Sequence, residues 1–185
     1  MPDDEIQRVV DEQRAADAAG ARARERWLRQ QDSEEATLTS VLIALGERDA
    51  EVTLRTAGGQ THRGVIAGVG HDFCRLRTRS GEDTLVALCA LATVHPVAAH
   101  GVHGDRGSPG VGGAPVDDLS LAEALARIAP ERPEVTVRCA DGGPPLVGRL
   151  RSVGRDVLTL RLDGEPPTPC HVALPAVVDV TVRLG

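Results

Sequence analysis

The stretch EVTLRTAGG, at residues 51–59, returns almost unchanged as EVTVRCADGG at residues 134–143. Both alternate apolar and polar residues before a glycine-rich turn, which is the pattern of a β-strand entering a hairpin. A later pair, VALCALATV at 86–94 and VALPAVVDV at 172–180, follows in the same order. Matched segments at nearly constant spacing predict a tandem repeat of one structural unit.

An amphipathic helix is predicted at the start of each copy. TLTSVLIALGE at 37–47 and SLAEALARIAP at 120–130 occupy matching positions and carry apolar residues at helical spacing. Ser120 and Glu123 have the spacing of a capping box. Pro130 is placed to end the second helix.

After each helix the hydrophobic period changes to that of strands. In the first copy it predicts strands at 51–56, 61–69, 72–79, 83–88 and 91–95. The turn signals DGG and DGEPP mark matching places in the second copy. A helix followed by five short antiparallel strands predicts a small barrel. The predicted fold class is therefore α+β, mainly β, with two tandem helix-plus-five-strand barrels and an N-terminal helical arm.

Composition divides the chain further. The predicted organisation is a charged helical arm at 1–36, a first barrel at 37–96, a flexible linker at 97–117 and a second barrel at 118–185. The arm holds ten acidic and six basic residues, and Asp32 with Glu35 has the spacing of another capping box. The linker holds six glycines and two prolines, a composition typical of flexible segments.

A Val-Gly-x-Asp motif occurs once in each copy, between the second and third strands. It reads VGHD up to Asp72 and VGRD up to Asp156. We interpret it as a structural turn rather than a ligand site. Gly70 and Gly154 are expected to adopt positive φ. The two aspartates are expected to bond the amides of the turn.

Two stretches resemble the motifs of a known family. GVIAGVGHDFCRL at 64–76 and VALCALATVHP at 86–96, behind a helix, resemble the two motifs of the Sm-like superfamily. The bacterial Hfq type is the most similar. The resemblance covers 37–96 and 118–184. It implies small barrels that bind RNA and assemble by pairing exposed edge strands.

The second motif departs from the Hfq type, in which Tyr-Lys-His contacts RNA. The matching residues here are apolar or a thiol: Ala87, Leu88 and Cys89 in the first copy, and Ala173, Leu174 and Pro175 in the second. None can pair with a phosphate or read a base edge. The family's usual uridine site is therefore not expected in either copy.

Arginine supplies all 21 basic residues, because lysine is absent. The candidate nucleic-acid-binding residues are Arg75, Arg77 and Arg79 on the predicted third strand, Arg149 and Arg151 on an earlier strand of the second copy, and Arg161, which matches Arg77. Alternation places such side chains on one face of a strand. They could hold a sugar-phosphate backbone by bidentate contacts, or they could form a solvated outer face.

Composition and motif spacing exclude several classes of function. A net charge of −6 argues against indiscriminate nucleic-acid binding. No catalytic triad, phosphate loop or metal-ligand spacing occurs, so we expect no enzyme, metal, cofactor or small-molecule substrate. The four cysteines form no CxxC pair and indicate reduced thiols in the cytoplasm. The acidic start MPDDEIQRVV predicts no signal peptide, and no stretch is apolar enough for a membrane span.

Two hypotheses for function remain. The first is an adaptor or chaperone that binds RNA or single-stranded nucleic acid through the arginine-bearing strands. The second is a protein-interaction or assembly module that self-associates through edge strands or the N-terminal helix. In the second hypothesis, the two copies pair within one chain, or three chains close a six-barrel ring.

Overall fold

The computed structural model describes Trp27 and residues 36–97, 118–164 and 166–183. Apart from Trp27 and Ala36, the predicted arm at 1–36 lies outside the described residues, and so does the linker beyond Val97. The chain divides into a unit of residues Met1–Ser40 and a unit of residues Val41–Gly185. All strands given below lie in the second unit.

Residues 36–97 and 118–183, where described, form two α-helices, three short 3-10 turns and ten strands. The helices are α1 (Leu38–Glu47) and α2 (Leu121–Ile128). The strands of the first half, residues 37–96, are β1 (Glu51–Thr56), β2 (Thr61–Val69), β3 (Phe73–Arg77), β4 (Asp83–Ala87) and β5 (Leu91–Pro96). The strands of the second half, residues 118–185, are β6 (Glu134–Cys139), β7 (Leu146–Val153), β8 (Val157–Leu162), β9 (Thr168–Ala173) and β10 (Val177–Arg183).

The hydrophobic periodicity of the sequence predicted the strand bounds closely. The bounds of β1 and β2 coincide with the predicted strands at 51–56 and 61–69. The third strand is shorter than predicted and ends at Arg77. It ends there because the Thr78 amide bonds the Glu82 carbonyl, which closes a turn.

The capping box of α2 is confirmed. The Ser120 hydroxyl accepts a hydrogen bond from the Glu123 amide at 3.3 Å, and the Glu123 carboxylate accepts one from the Ser120 amide at 2.8 Å. The helix ends at Ile128, and Pro130 lies in the 3-10 turn that follows. Proline stops the α-helical ladder because it has no amide hydrogen to donate.

The prediction of two tandem barrels is wrong. All ten strands belong to one antiparallel sheet with the order β5-β1-β2-β3-β4-β10-β6-β7-β8-β9. The sheet is open, with β5 and β9 at its ends. The two halves join where β4 pairs with β10. An unpaired edge strand exposes a row of backbone hydrogen-bonding groups, and this pairing satisfies two such edges within one chain.

Packing of side chains also joins the halves. One aliphatic cluster belongs to the first half and surrounds Leu42, Leu54 and Leu76. The other lies in the second half but includes Phe73 and Leu85 from β3 and β4. Residues of the first half therefore complete the core of the second half.

Neither α1 nor α2 is long and apolar enough to cross a membrane, and the described residues contain no other helix that could.

Candidate functional site

The junction between β4 and β10 has a defined register. Leu85 lies opposite Val180, and Thr84 lies opposite Thr181. The hydroxyl oxygens of Thr84 and Thr181 lie 3.1 Å apart, so these side chains face each other across the junction. The apolar residues of β4 are buried there, as are most residues of β10.

A buried carboxylate bonds residues of both halves at the same junction. Asp179 on β10 is 0% exposed. Its side chain accepts a hydrogen bond from the Arg138 guanidinium at 2.9 Å and lies 3.2 Å from Nε2 of His62. Arg138 belongs to the second half and His62 to the first. A buried carboxylate needs such partners because it has lost its hydration.

Sequence reasoning did not single out this group. The available signal was one acidic residue within the apolar run VVDVTV of β10. Such a residue is either exposed or paired, and the pattern does not say which. Its partner His62 is 117 residues away in the sequence, and only the pairing of the halves brings the two together.

The first Val-Gly-x-Asp turn forms a second contact between the halves. Asp72 bonds no amide of its own turn, contrary to the prediction. Its carboxylate accepts a hydrogen bond of 2.6 Å from the amide of Leu121, the first residue of α2. The amide of His71 bonds the carbonyl of Leu119 at 2.8 Å. The turn therefore holds the N-terminus of a helix that belongs to the other half.

The predicted positive φ at the two turn glycines is also wrong. In the described residues positive-φ glycines occur at 59, 81 and 142. Gly70 is required because no side chain fits there: a Cβ would lie 2.2 Å from the Phe73 ring and 2.7 Å from the Leu119 carbonyl oxygen. A Cβ on Gly154 would have its nearest contact at 3.0 Å, with Val157. The two turns therefore differ in what surrounds them.

A cavity of about 320 Å³ lies beside this helix contact. Phe73 and Leu85 line it from the first half, and Ala124 and Ile128 line it from α2. It is mostly apolar, with Arg127 among its polar lining residues. It marks the place where α2 packs on the neighbouring half.

In the first half, carboxylates of the chain form ion pairs with two of the three candidate nucleic-acid-binding arginines. Arg77 pairs with Asp83 at 3.0 Å, and Arg79 pairs with Glu51 at 3.1 Å. Arg75 donates to the backbone carbonyl of Ala67. Arg79 lies in the turn after β3, so the predicted row of three arginines along one strand is reduced to two.

These pairs shift the ionisation of their members. Hydrogen bonding by Arg63, with a smaller contribution from Arg79, lowers the pKa of Glu51 below its usual value. The bond with Asp83 raises the pKa of Arg77. Both effects favour the paired, charged forms.

All three candidate arginines of the second half are exposed. Arg149 on β7 lies directly opposite Arg161 on β8, and Arg151 is also exposed. Among the described residues, none of the three forms an ion pair with a carboxylate. Glu134 lies opposite Arg149 on β6, but its carboxylate bonds Arg183. The structure thus divides the candidate set and leaves a cationic patch on one half.

Five of the six residues at the Tyr-Lys-His positions, all except Ala173, line a concavity of about 630 Å³. Leu88 and Leu174 contribute apolar walls, and the two turns contribute polar side chains from His71, Asp72, Arg155 and Asp156. Most of the departures from the Hfq pattern therefore lie around one concavity.

The free edges contrast with the internal junction. By sequence position, β9 is the counterpart of β4, and β5 is the counterpart of β10. Four of the five β4 residues are buried, but only one of the six β9 residues is. Five of the seven β10 residues are buried at the junction, whereas none of the six β5 residues is. The end strands resemble the joined strands in position, but each has one edge that pairs with no strand of the described residues.

One buried hydroxyl on β5 shows the same difference. Thr93 is the counterpart of Asp179, and its Oγ1 is buried without a hydrogen-bond partner among the described residues. No group of three potential metal ligands occurs in the described ranges.

No protein-family model matches this chain, and no curated protein sequence matches it significantly. The resemblance to the Sm-like superfamily stays a prediction from the motifs.

Proposed function

We propose that this protein is a non-enzymatic self-assembly module in which β9 of one chain pairs with β5 of a second. The observation that supports this best is the β4–β10 junction, where the counterparts of these two strands already pair. Both open edges would then be satisfied by the same antiparallel contact. A strand added to a sheet edge gains affinity mainly from backbone hydrogen bonds.

The internal register sets the expected pairing. Transferring it places Val94 opposite His171 and His95 opposite Cys170 of the neighbouring chain. Pro96 and Pro169 would meet at the end of the ladder. Proline has no amide hydrogen, so the intermolecular ladder should be shorter than the internal one.

The proposed contact is head-to-tail, because one chain contributes β9 and the other β5. Such heterologous contacts form closed rings when the rotation closes and filaments when it does not. A ring of three chains would leave no free edge. The contact lacks the buried ionic group, since Thr93 and Leu146 occupy the positions of Asp179 and His62. We therefore expect assembly to be weaker than the internal junction and reversible.

Solution mass is the first test. Sedimentation velocity over a range of concentrations should show species at whole multiples of the 19.4 kDa chain. A single 19.4 kDa species up to high micromolar concentration would contradict the proposal.

A designed cross-link tests the register. Thr84 and Thr181 face each other, so a cysteine replacing His95 should face the natural Cys170 of the next chain. In a Cys89→Ser background, His95→Cys should give disulfide-linked oligomers on a non-reducing gel. Adding Cys170→Ser should abolish them. Oligomers that persist without Cys170 would show that the strands meet elsewhere.

The second candidate function is binding of RNA or single-stranded nucleic acid. It is favoured by one observation, the exposed pair Arg149 and Arg161 with Arg151 beside it. Guanidiniums in this arrangement can contact phosphates, and such binding weakens steeply with salt. The first-half arginines contribute little in this version, because carboxylates of the chain neutralise Arg77 and Arg79.

A matched pair of variants tests the nucleic-acid candidate. Fluorescence anisotropy with a labelled single-stranded RNA pool would compare Arg149→Glu/Arg161→Glu with Arg77→Glu, at low and moderate salt. The double variant should lose binding, and Arg77→Glu should retain most of it. Absence of binding by the wild-type chain at low salt would remove this candidate.

A cytoplasmic location belongs to the same proposal. Cys74, Cys89, Cys139 and Cys170 are all free thiols, which fits a reducing compartment. Localisation of a tagged full-length chain would test this.

A further inference from the structure

The second Val-Gly-x-Asp turn is a copy of the site that holds α2, and no helix of the described residues is bound to it. In the first half, the turn at Gly70–Asp72 binds the start of α2 through the Asp72 carboxylate and the His71 amide. In the second half, Gly154, Arg155 and Asp156 form the same turn, closed by a bond of 2.7 Å between the Gly154 amide and the Val157 carbonyl. Within the described residues, the Asp156 side chain bonds no backbone amide.

The helix that matches α2 is α1, and its first turn is uncovered. Leu38 and Val41 are 40% and 41% exposed. Their counterparts in α2 are Leu121, which is 5% exposed, and Ala124, which packs against the shared core. Leu38 and Val41 therefore present to solvent the helix positions that the first half covers in α2.

Both helices start in the same way. The Thr37 hydroxyl accepts a hydrogen bond from the Ser40 amide at 3.1 Å, as Ser120 does for Glu123 in α2. The amide of Leu38 is the counterpart of the Leu121 amide that Asp72 binds. A carboxylate suits this place because the first amides of a helix lack partners within the helix.

The side-chain sizes at the two places are complementary. In the internal contact, Phe73 on the turn side and Ala124 on the helix side line one cavity. Their counterparts are Val157 and Val41. Val41 is larger than Ala124, and Val157 is smaller than Phe73. The two pairs of side chains therefore have similar total volumes.

We propose that the Gly154–Asp156 turn is a docking site for the N-terminal turn of α1 from a second copy of this chain. The Asp156 carboxylate accepts a hydrogen bond from the Leu38 amide, and the Arg155 amide donates to the Ala36 carbonyl. Leu38 and Val41 become buried against Val157. The inference rests on the proposed assembly through β9 and β5, since that pairing brings this turn next to the α1 of the neighbouring chain.

The test measures the association constant by sedimentation equilibrium. Asp156→Ala should weaken association about two- to thirtyfold, which corresponds to the usual cost of losing a helix cap. Val41→Glu should weaken it further by placing a charge in the contact. The control is Asp163→Ala, which removes an exposed carboxylate from the β8–β9 turn and should leave association unchanged. Thermal melting of dilute samples checks that all variants fold.

The outcomes separate this inference from the proposed function. If the wild-type chain associates and His95→Cys cross-links, but Asp156→Ala and Val41→Glu associate normally, the docking site is wrong and the edge pairing stands. If the wild-type chain stays monomeric and gives no cross-link, the proposed assembly itself fails. If only Asp156→Ala and Val41→Glu weaken association, both are supported.

Discussion

The carboxylate of Asp72 accepts a hydrogen bond of 2.6 Å from the backbone amide of Leu121, 49 residues later in the chain. This bond joins a hairpin turn of the first half to the first amide of a helix in the second. It gives the repeated Val-Gly-x-Asp motif a role between halves rather than within one turn.

Loss of this bond should destabilise the single chain. Asp72→Ala removes the acceptor for the Leu121 amide and is expected to lower the free energy of unfolding by about 1 kcal/mol, the usual cost of losing a helix cap. Asp156→Ala, at the counterpart turn, should leave it unchanged. Urea denaturation at low protein concentration measures both. Equal losses in the two variants would contradict the assignment.

The turn glycines should respond unequally to a methyl group. Gly70→Ala places a Cβ 2.2 Å from the Phe73 ring and 2.7 Å from the Leu119 carbonyl oxygen. Overpacking of this kind costs about 1–3 kcal/mol. Gly154→Ala meets only Val157, at 3.0 Å and above, and should change stability by less than about 0.5 kcal/mol. A larger loss at Gly154 would mean that the turn itself, rather than the docked helix, requires glycine.

The buried carboxylate should couple strongly to its arginine. Arg138→Met leaves Asp179 with only His62, and breaking a buried pair in this way costs about 3–5 kcal/mol. Adding Asp179→Val removes the unpaired buried charge and should recover a large part of the lost stability. A double-mutant cycle by urea denaturation measures the coupling. Additive effects of the two changes would show that the pair does not interact.

The Cys74 thiol should make stability depend on alkaline pH. Burial raises its pKa to about 12 in the folded chain, from an ordinary value of 9.0. Because the folded state disfavours the thiolate, this stability is fully present below pH 9.0 and falls as the pH rises toward about 12. The slope between pH 9 and 11 should reach about 1.4 kcal/mol per pH unit. Cys74→Ala should remove that slope, although it loses packing.

Thiol labelling gives an independent check on the same residue. Cys89 is exposed and Cys74 is buried. A thiol reagent at neutral pH should modify Cys89 quickly and Cys74 only after unfolding. Rapid labelling of Cys74 in the native chain would contradict its burial.

Local elements followed from local patterns. The alternation in EVTLRT predicted β1 because a strand places every second residue on one face. Ser120 and Glu123 predicted the start of α2 because a capping box acts within four residues. Such features depend on neighbours in the chain, so a single sequence contains them.

Long-range features did not follow in this way. The partner of β4 could have been β5, a strand of another chain or β10, and periodicity does not distinguish among them. Arg77 and Arg79 looked like a cationic face, but Asp83 and Glu51 neutralise them through contacts that depend on the folded chain. The aspartate of VGHD was predicted to bond amides of its own turn. In the folded chain it instead bonds the first amide of α2, in the other half.

The sequence by itself determined the repeat, the strand and helix positions and the aliphatic composition of the core, because hydrophobic period and turn residues act over a few positions. Only the tertiary structure decided that β4 pairs with β10 and that one open sheet replaces two barrels. Strand pairing depends on which edges meet and which side chains, such as His62 and Asp179, face each other when they do. Those encounters depend on the whole chain, and no short stretch of it encodes them.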